Sequence, residues 1–452
     1  MGSNKAQVVQ AKGGRFFSRP GRFIIISYCL ILVPSTLVLM TKLASITGLP
    51  WIDALFTATS ALTVTGVGVV DTGTHLSTLG HCWLLLLMQI GGLGQMTLSM
   101  LVMTLFGYKL SMHGRAIVCE ELNQTLTVDV QKLIKSIVCF AILMECVGAL
   151  ILAYRWVPEM GLHKGIYYAI FHAVSAFNNA GFGLFASSLQ QYYQDITIVI
   201  TLALLFIIGG LGFTVVMDLW CFCSKLGRWR LSLHSKLVLN TSLVLLVMGT
   251  LMIYWLEHKN SYTIGNMSSA DQWLNAFFAS ATTRTAGFST FVVAEMTHAG
   301  LLVLMILMFI GAGSSSTGGG IKVSTFAIAL IATRSFLQGK KTFTAFKRNI
   351  SPDVVLKSLA IIVVSFIVLL TATFLLMVTQ NARFDLVLFE AISAFSTVGL
   401  STGLSEDLTG VGKIIMIVLM IVGRLGPLTL ALALIPAKQT YIRYADEDVI
   451  TG

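Results

Sequence analysis

Four thirteen-residue segments of this chain follow one pattern and end on glycine: ALFTATSALTVTG at Gly66, AIFHAVSAFNNAG at Gly181, NAFFASATTRTAG at Gly287 and VLFEAISAFSTVG at Gly399. Ten positions before each glycine stands a phenylalanine (Phe56, Phe171, Phe277, Phe389), and eight before it an alanine (Ala58, Ala173, Ala279, Ala391). The glycines lie 115, 106 and 112 positions apart, so the chain is one unit written four times. Repetition of that kind decides architecture ahead of any local signal. It predicts four similar walls around one pore.

The solvent of this unit follows from composition. Hydrophobic residues make up 56% of the chain and charged ones only 11%, against about a quarter charged in soluble domains. The chain therefore reads as an integral membrane protein. Apolar runs near 23–44, 79–107, 132–156, 195–223, 235–256, 299–333, 354–379 and 411–435 each reach the roughly 20 residues that a spanning helix requires, and the thirteen-residue motifs do not. Non-helical backbone at membrane depth survives only when buried in protein or lining a wet cavity. Each motif is thus expected to be a pore helix that dips in and a loop that climbs back out. The predicted fold class is all-α, with eight spans in four parallel span–pore helix–span repeats around a pseudo-fourfold axis. The boundaries run from a basic tail (1–22) through repeats at 23–107, 108–223, 224–340 and 341–436 to a second tail (437–452).

Charge orients this arrangement. Of the 30 Lys and Arg residues, 21 fall in the two tails and in three connections that share a side, the last of which carries Arg334, Lys340, Lys341, Lys347, Arg348 and Lys357. The opposite side carries Lys42, Arg155, Lys164, Lys259, Arg383 and Lys413. The richer side is expected to be cytoplasmic, with both termini inside and the glycines toward the outer half. A net charge of +10 then calls for no nucleic acid, and contact of the basic tail with anionic lipid fits it. The first apolar run reads as a retained start-transfer helix rather than a cleaved signal. The seven cysteines are odd in number and mostly inside predicted spans, a pattern of neither disulfides nor zinc ligands.

The terminal glycine of each motif has a physical reason. A selectivity filter replaces an ion's water with backbone carbonyls, in dihedrals that only glycine visits cheaply. Val64-Thr65-Gly66, Asn179-Ala180-Gly181, Thr285-Ala286-Gly287 and Thr397-Val398-Gly399 would each supply one wall, and pore helices entering from outside aim their negative ends at the membrane centre. A tight turn or a packing contact explains any one such glycine, but not four in register. About two dozen residues further on, each second span is interrupted: Gly91-Gly92-Leu93-Gly94, Gly209-Gly210-Leu211-Gly212, Gly311-Ala312-Gly313-Ser314-Ser315-Ser316-Thr317-Gly318-Gly319-Gly320 and Gly423-Arg424-Leu425-Gly426-Pro427. Ten small residues in a row hold a helix poorly, since glycine costs about 1 kcal/mol per position relative to alanine. The third interruption is therefore expected to be an unwound loop, the other three sites of close helix packing. The loop lacks the Gly-Lys-Ser/Thr ending of a phosphate loop. No intramembrane nucleophile–base pair or metal cluster suggests an enzyme.

The segments FNNAGF (177–182), TRTAGFS (283–289), STVGLSTGL (396–404) and TVTGVGVVDTG (63–73) resemble the pore loops of the Trk/Ktr/HKT superfamily of potassium transporters, and the likeness is close to the membrane subunit of its bacterial Ktr systems. It extends over essentially the whole chain through QIGGLGQMTLS (89–99), RWVPEMG (155–161), GGLGFTV (209–215) and GRLGPLTL (423–430). The resemblance implies that Gly66, Gly181, Gly287 and Gly399 form the narrowest part of a potassium filter. It makes Gly311–Gly320 an intramembrane gate, and places Arg424 beneath the filter as electrostatic barrier and anchor of that loop. It further implies sodium-stimulated K+ uptake in a bacterial plasma membrane, no bound cofactor, a homodimer held in part by the tail Val449-Ile450-Thr451-Gly452, and a cytosolic RCK-type regulatory ring that binds ATP or ADP. Arg284 is expected to be structural, paired with Glu390 or Asp71. A secondary transporter working by alternating access stays open as the alternative, although its repeats are commonly inverted and these return to their starting side.

Overall fold

The computed structural model describes residues 20–94, 130–224, 230–340 and 342–427. Residues 1–19 of the N-terminal tail, the stretch 95–129, residues 225–229 and 341, and 428–452 with the whole C-terminal tail and its segment 449–452 lie outside the described residues. The elements repeat as the motifs do. A first span (α1, Pro20–Met40; α5, Val130–Met160; α9, Leu233–Glu257; α13, Pro352–Thr379) leads to a pore helix (α2, Trp51–Leu62; α6, Leu162–Phe177; α10, Ser269–Thr282; α14, Phe384–Phe395). The second span then begins as α4 (Thr78–Leu93, after the single turn α3, Thr72–His75), α7 (Ile196–Leu211), α11 (His298–Phe309) or α15 (Gly410–Leu425). Among the described residues two of these continue beyond a break, as α8 (Phe213–Ser224) and α12 (Val323–Leu337). A small antiparallel hairpin, β1 (Phe343–Ala345) and β2 (Arg348–Ile350), follows α12, and no motif in the sequence signalled it.

Local chemistry sets these boundaries. Ser77, Asp195, Thr297 and Thr409 cap the four second spans, each side chain accepting a backbone N–H two or three residues on, which satisfies donors the helix start leaves free. The spans end just as regularly, since α4, α7 and α15 stop at Gly94 (φ +84°), Gly212 (φ +97°) and Gly426 (φ +85°), a hand that glycine adopts without strain. Among the described residues Ile134–Met160, Leu233–Glu257 and Pro352–Thr379 are long and apolar enough to cross a membrane, and α7 and α8, bent by 100° at Gly212, are so only when counted together as one broken span. The expected span 299–333 is present as two shorter helices, α11 and α12, interrupted by the Gly311–Gly320 loop, and those at 79–107 and 411–435 run on from α4 and α15 beyond the described residues.

Contacts close the repeats into a ring. Each pore helix packs on its own first span, and α4, α7, α11 and α15 lie against the pore helices α6, α10, α14 and α2 of the next repeat, so that the fourth repeat returns to the first. Three of the motif phenylalanines, Phe56, Phe171 and Phe389, are wholly buried, and Phe277 packs partly buried against the core. The breaks are contact points as well. A methyl group added at Gly91, Gly209 or Gly423 would collide with the carbonyl oxygen of Leu62, Phe177 or Phe395, the last residue of the pore helix in the same repeat. Close backbone packing through small residues, expected at these three sites, is what the structure shows.

Gly423→Ala is therefore expected to cost about 1–3 kcal/mol by overpacking and to lower the thermal midpoint of the detergent-solubilised protein. Gly410→Ala serves as the control, its methyl meeting only Ile52 Cδ1 at 3.5 Å. Equal midpoints for the two variants would separate the break from the packing.

Candidate functional site

The four motif glycines meet. A methyl group added to any one of them would come within 3.2 Å of the Cα of a neighbouring glycine, in the cyclic order Gly66, Gly181, Gly287, Gly399. Gly66 faces the carbonyl of Ala180, Gly181 that of Ala286, Gly287 that of Val398 and Gly399 that of Thr65. Each loop thus sets the carbonyl before its glycine against the glycine of one neighbour, in the same sense around the axis.

The backbone alternates in hand. Gly66, Gly181, Gly287 and Gly399 have φ of +84°, +70°, +76° and +94°, and two positions earlier Val64, Asn179, Thr285 and Thr397 have φ of +58°, +58°, +73° and +52°. A left-handed Val or Thr is strained by about 1–3 kcal/mol, and four at one register are a built feature. Alternation of hand turns successive carbonyls to one side, the arrangement that replaces a cation's water shell. The strain is held from behind. Ser60, Thr282 and Ser393 on the pore helices donate to the carbonyls of Val67, Phe288 and Leu400, one residue past the glycine, at 2.6–2.8 Å. These hydroxyls stand in the motif itself (TSAL, SATT, ISAF) and had no assigned role in the sequence reading.

Directly below lies Gly311–Gly320. It leaves α11 at Ile310 and returns through a bridge between Ile310 and Ile321, with Gly311 N donating to Ile321 O at 2.9 Å. Thr317 Oγ1 donates to Asn179 Oδ1 at 3.0 Å, and Gly319 N to Thr397 Oγ1 at 2.9 Å. Gly313 N and Gly320 N reach the carbonyls of Gly210 and Gly423 at 2.8 and 3.3 Å. The loop therefore touches two of the left-handed residues above it and two of the helix breaks around it.

Three basic side chains converge on this loop. Arg424 donates to the carbonyls of Thr317 and Gly91, Lys322 Nζ to Gly318 O at 2.6 Å, and Arg284 Nη1 to Ile310 O at 2.5 Å. Arg284 pairs with neither Glu390 nor Asp71. Glu390 is taken up by Ser401, Thr402 and Ser405, and Asp71 caps α3. Lys322 has no place in the sequence reading, yet its signal was available: Arg284, Lys322 and Arg424 are the basic residues left over once the two membrane sides have been counted. Charges at that depth face a cavity or a partner, and here all three reach carbonyls of the stretch Ile310–Gly318, Arg424 adding that of Gly91.

A buried carboxylate also lies outside the sequence reading. Glu145 on α5 accepts Asn178 Nδ2 on Oε1 at 2.9 Å and Gln89 Nε2 on Oε2 at 3.3 Å, and Asn178 Nδ2 is 2.8 Å from Gln89 Oε1. Asn178 stands three residues before Gly181, so two spans brace the second loop through its side chain.

The chain matches the family profile TrkH, cation transport protein, over residues 10–441. It is 51% identical to Ktr system potassium uptake protein B of Vibrio alginolyticus over 98% of this chain and 96% of that protein. With the protein of the same name from Bacillus subtilis it shares 41% identity over 96% and 97%. The crystal structure of the potassium transporter TrkH from Vibrio parahaemolyticus has the same fold, with a TM-score of 0.76 at 19% identity over 95% of this chain and 86% of that one.

Glu145→Ala leaves Asn178 and Gln89 short of a buried partner and is expected to cost about 1–3 kcal/mol, read as a lower thermal midpoint. Glu145→Gln keeps one acceptor and a similar shape and should lose less. Identical midpoints for wild type and both variants would mean that the brace carries no load.

Proposed function

The chain belongs to the TrkH family of cation transport proteins, and from that premise we propose that it is the potassium-translocating membrane subunit of a Ktr-type uptake system. The observation that carries this reading is the closed ring of Gly66, Gly181, Gly287 and Gly399 with left-handed residues two positions before each. In this reading Val64, Thr65, Asn179, Ala180, Thr285, Ala286, Thr397 and Val398 complete the filter, and a dehydrated K+ exchanges water for their carbonyls. The gate is Gly311–Gly320, which sits under the ring and carries the charge of Lys322, Arg284 and Arg424 into the cation path. Blockage is then both steric and electrostatic, and opening consists of moving the loop aside.

Control comes from a cytosolic nucleotide-binding ring that acts through the basic inner connections, chiefly Arg334–Arg348, which continue α12 from the loop. Two relatives named as proteins of a Ktr system support such partner components. Sodium stimulation, a homodimer and cytoplasmic termini complete the proposal. Alternating access fits less well, because the four repeats are parallel and close one ring.

Potassium uptake into liposomes, measured against external K+ at several Na+ concentrations, tests the filter. Gly66→Ser and Gly399→Ser are expected to raise half-saturation roughly tenfold, the equivalent of about 1.4 kcal/mol within the overpacking range, with maximal flux reduced less. Unchanged half-saturation in both variants removes these glycines from the filter. Shortening Gly311–Gly320, Arg424→Ala and Lys322→Met are each expected to raise flux several-fold and to weaken its dependence on nucleotide. A loop-shortened variant that conducts no faster and still needs nucleotide would make the loop a structural kink.

A further inference from the structure

At the end of the bundle away from the glycine ring, a cleft of about 480 Å³ opens between α9, α12 and the β1–β2 hairpin. Its walls change character with depth. Ala327, Leu330 and Asn240 line the part within the bundle, while Leu237, Arg334, Lys340 and Phe346 stand toward the hairpin, to which the start of α9 is packed through Leu233. Ala327 and Gln338 bound it along α12, a length of about 16 Å at 1.5 Å per residue. The cleft opens onto the outer surface, since Leu330 is 54% exposed and the neighbouring Phe336 and Leu337 are 81% and 80% exposed.

Its charge is one-sided. None of the lining residues is acidic, and among the described residues neither Arg334 nor Lys340 takes part in an ion pair. Two cations at the mouth, with Leu237, Leu330 and Ile331 behind them and only Asn240 and Thr241 as polar side chains further in, match an amphiphile with an anionic head. A soluble phosphate compound would need the cations but has no use for Leu237 and Leu330. Basic pockets between spanning helices at the cytoplasmic surface take anionic headgroups on the same grounds.

We propose that this cleft is a binding site for an anionic phospholipid, with the headgroup phosphate on Arg334 and Lys340 and the first part of one acyl chain along Leu237 and Leu330. The bound lipid would lie across α9 and α12, the helix into which the Gly311–Gly320 loop runs.

Native mass spectrometry of the delipidated full chain, offered phosphatidylglycerol and phosphatidylcholine in equal amounts, tests the site. Phosphatidylglycerol is expected to be retained in preference, and Arg334→Ala or Lys340→Ala should each weaken retention about fivefold, as about 1 kcal/mol per basic residue implies. Arg334→Lys should restore most of it. Leu330→Trp fills the apolar wall without touching either charge and should also weaken retention. Millimolar inorganic phosphate should leave the lipid bound. Equal retention of the two lipids, or phosphatidylglycerol retention unchanged in all the cleft variants, would overturn the proposal. Displacement of the lipid by inorganic phosphate, with Leu330→Trp indistinguishable from wild type, would make this a site for soluble anions instead. Monodisperse elution and a thermal midpoint for each variant separate lost binding from lost folding.

Discussion

The structure depends on an approach so close that no side chain fits. Four loops bring Gly66, Gly181, Gly287 and Gly399 together, each against the carbonyl of a neighbour. Backbone meeting at that distance needs Val64, Asn179, Thr285 and Thr397 in a left-handed conformation, together of the order of several kcal/mol of strain. Strain of that size persists only where the surroundings over-determine it. The last three residues of each pore helix are therefore buried, hydroxyls clip three of the loop exits, and the second spans press on the pore-helix carbonyls at Gly91, Gly209 and Gly423. Precision at the axis is supplied by packing behind it.

The second constraint is the solvation of three cations. Burying an ammonium or guanidinium group costs several kcal/mol unless partners replace its water, and the contacts of Arg284, Lys322 and Arg424 on this loop are carbonyls rather than carboxylates. Carbonyls bonded within a helix are poorly placed for that task. An unwound glycine-rich segment frees them, so the residues that break the third second span also provide its solvation. The arrangement is conditional. On the proposed gating, a displaced loop would leave the three cations to water in a hydrated cavity, so that wetting of the pathway and position of the loop would change together.

The fold was legible because its signals are redundant. Four copies of a motif and eight apolar runs each point to the same ring, and the loop Gly311–Gly320 announced itself by composition. Side-chain partners across the bundle were another matter. Arg284 was expected to find an acid and instead reaches the carbonyl of Ile310, because acids elsewhere are consumed locally, Glu390 by three hydroxyl residues of its own loop. The Glu145–Gln89–Asn178 brace joins three elements far apart in sequence, and neither periodicity nor spacing reports such a meeting. Lys322 was hidden beside a glycine run that drew attention to backbone.

Departures from fourfold symmetry gather in one repeat. Thr65, Ala180 and Val398 bond through their N–H groups to the carbonyl five residues back, but Ala286 bonds to the one four back, so the third loop leaves its pore helix one residue sooner. The same repeat holds Arg284 where the others hold Thr63, Asn178 and Ser396, and it alone carries Gly311–Gly320 and Lys322. Geometry explains the concentration. The four loops share one axis, so a single inserted segment can obstruct the path for all of them, and four such segments would compete for the same space below the ring. Divergence of one repeat also lets the remaining three keep the glycine contacts at Gly91, Gly209 and Gly423 that hold the pore helices in register. An irregular segment can thus be built into a closed ring without loosening the ring.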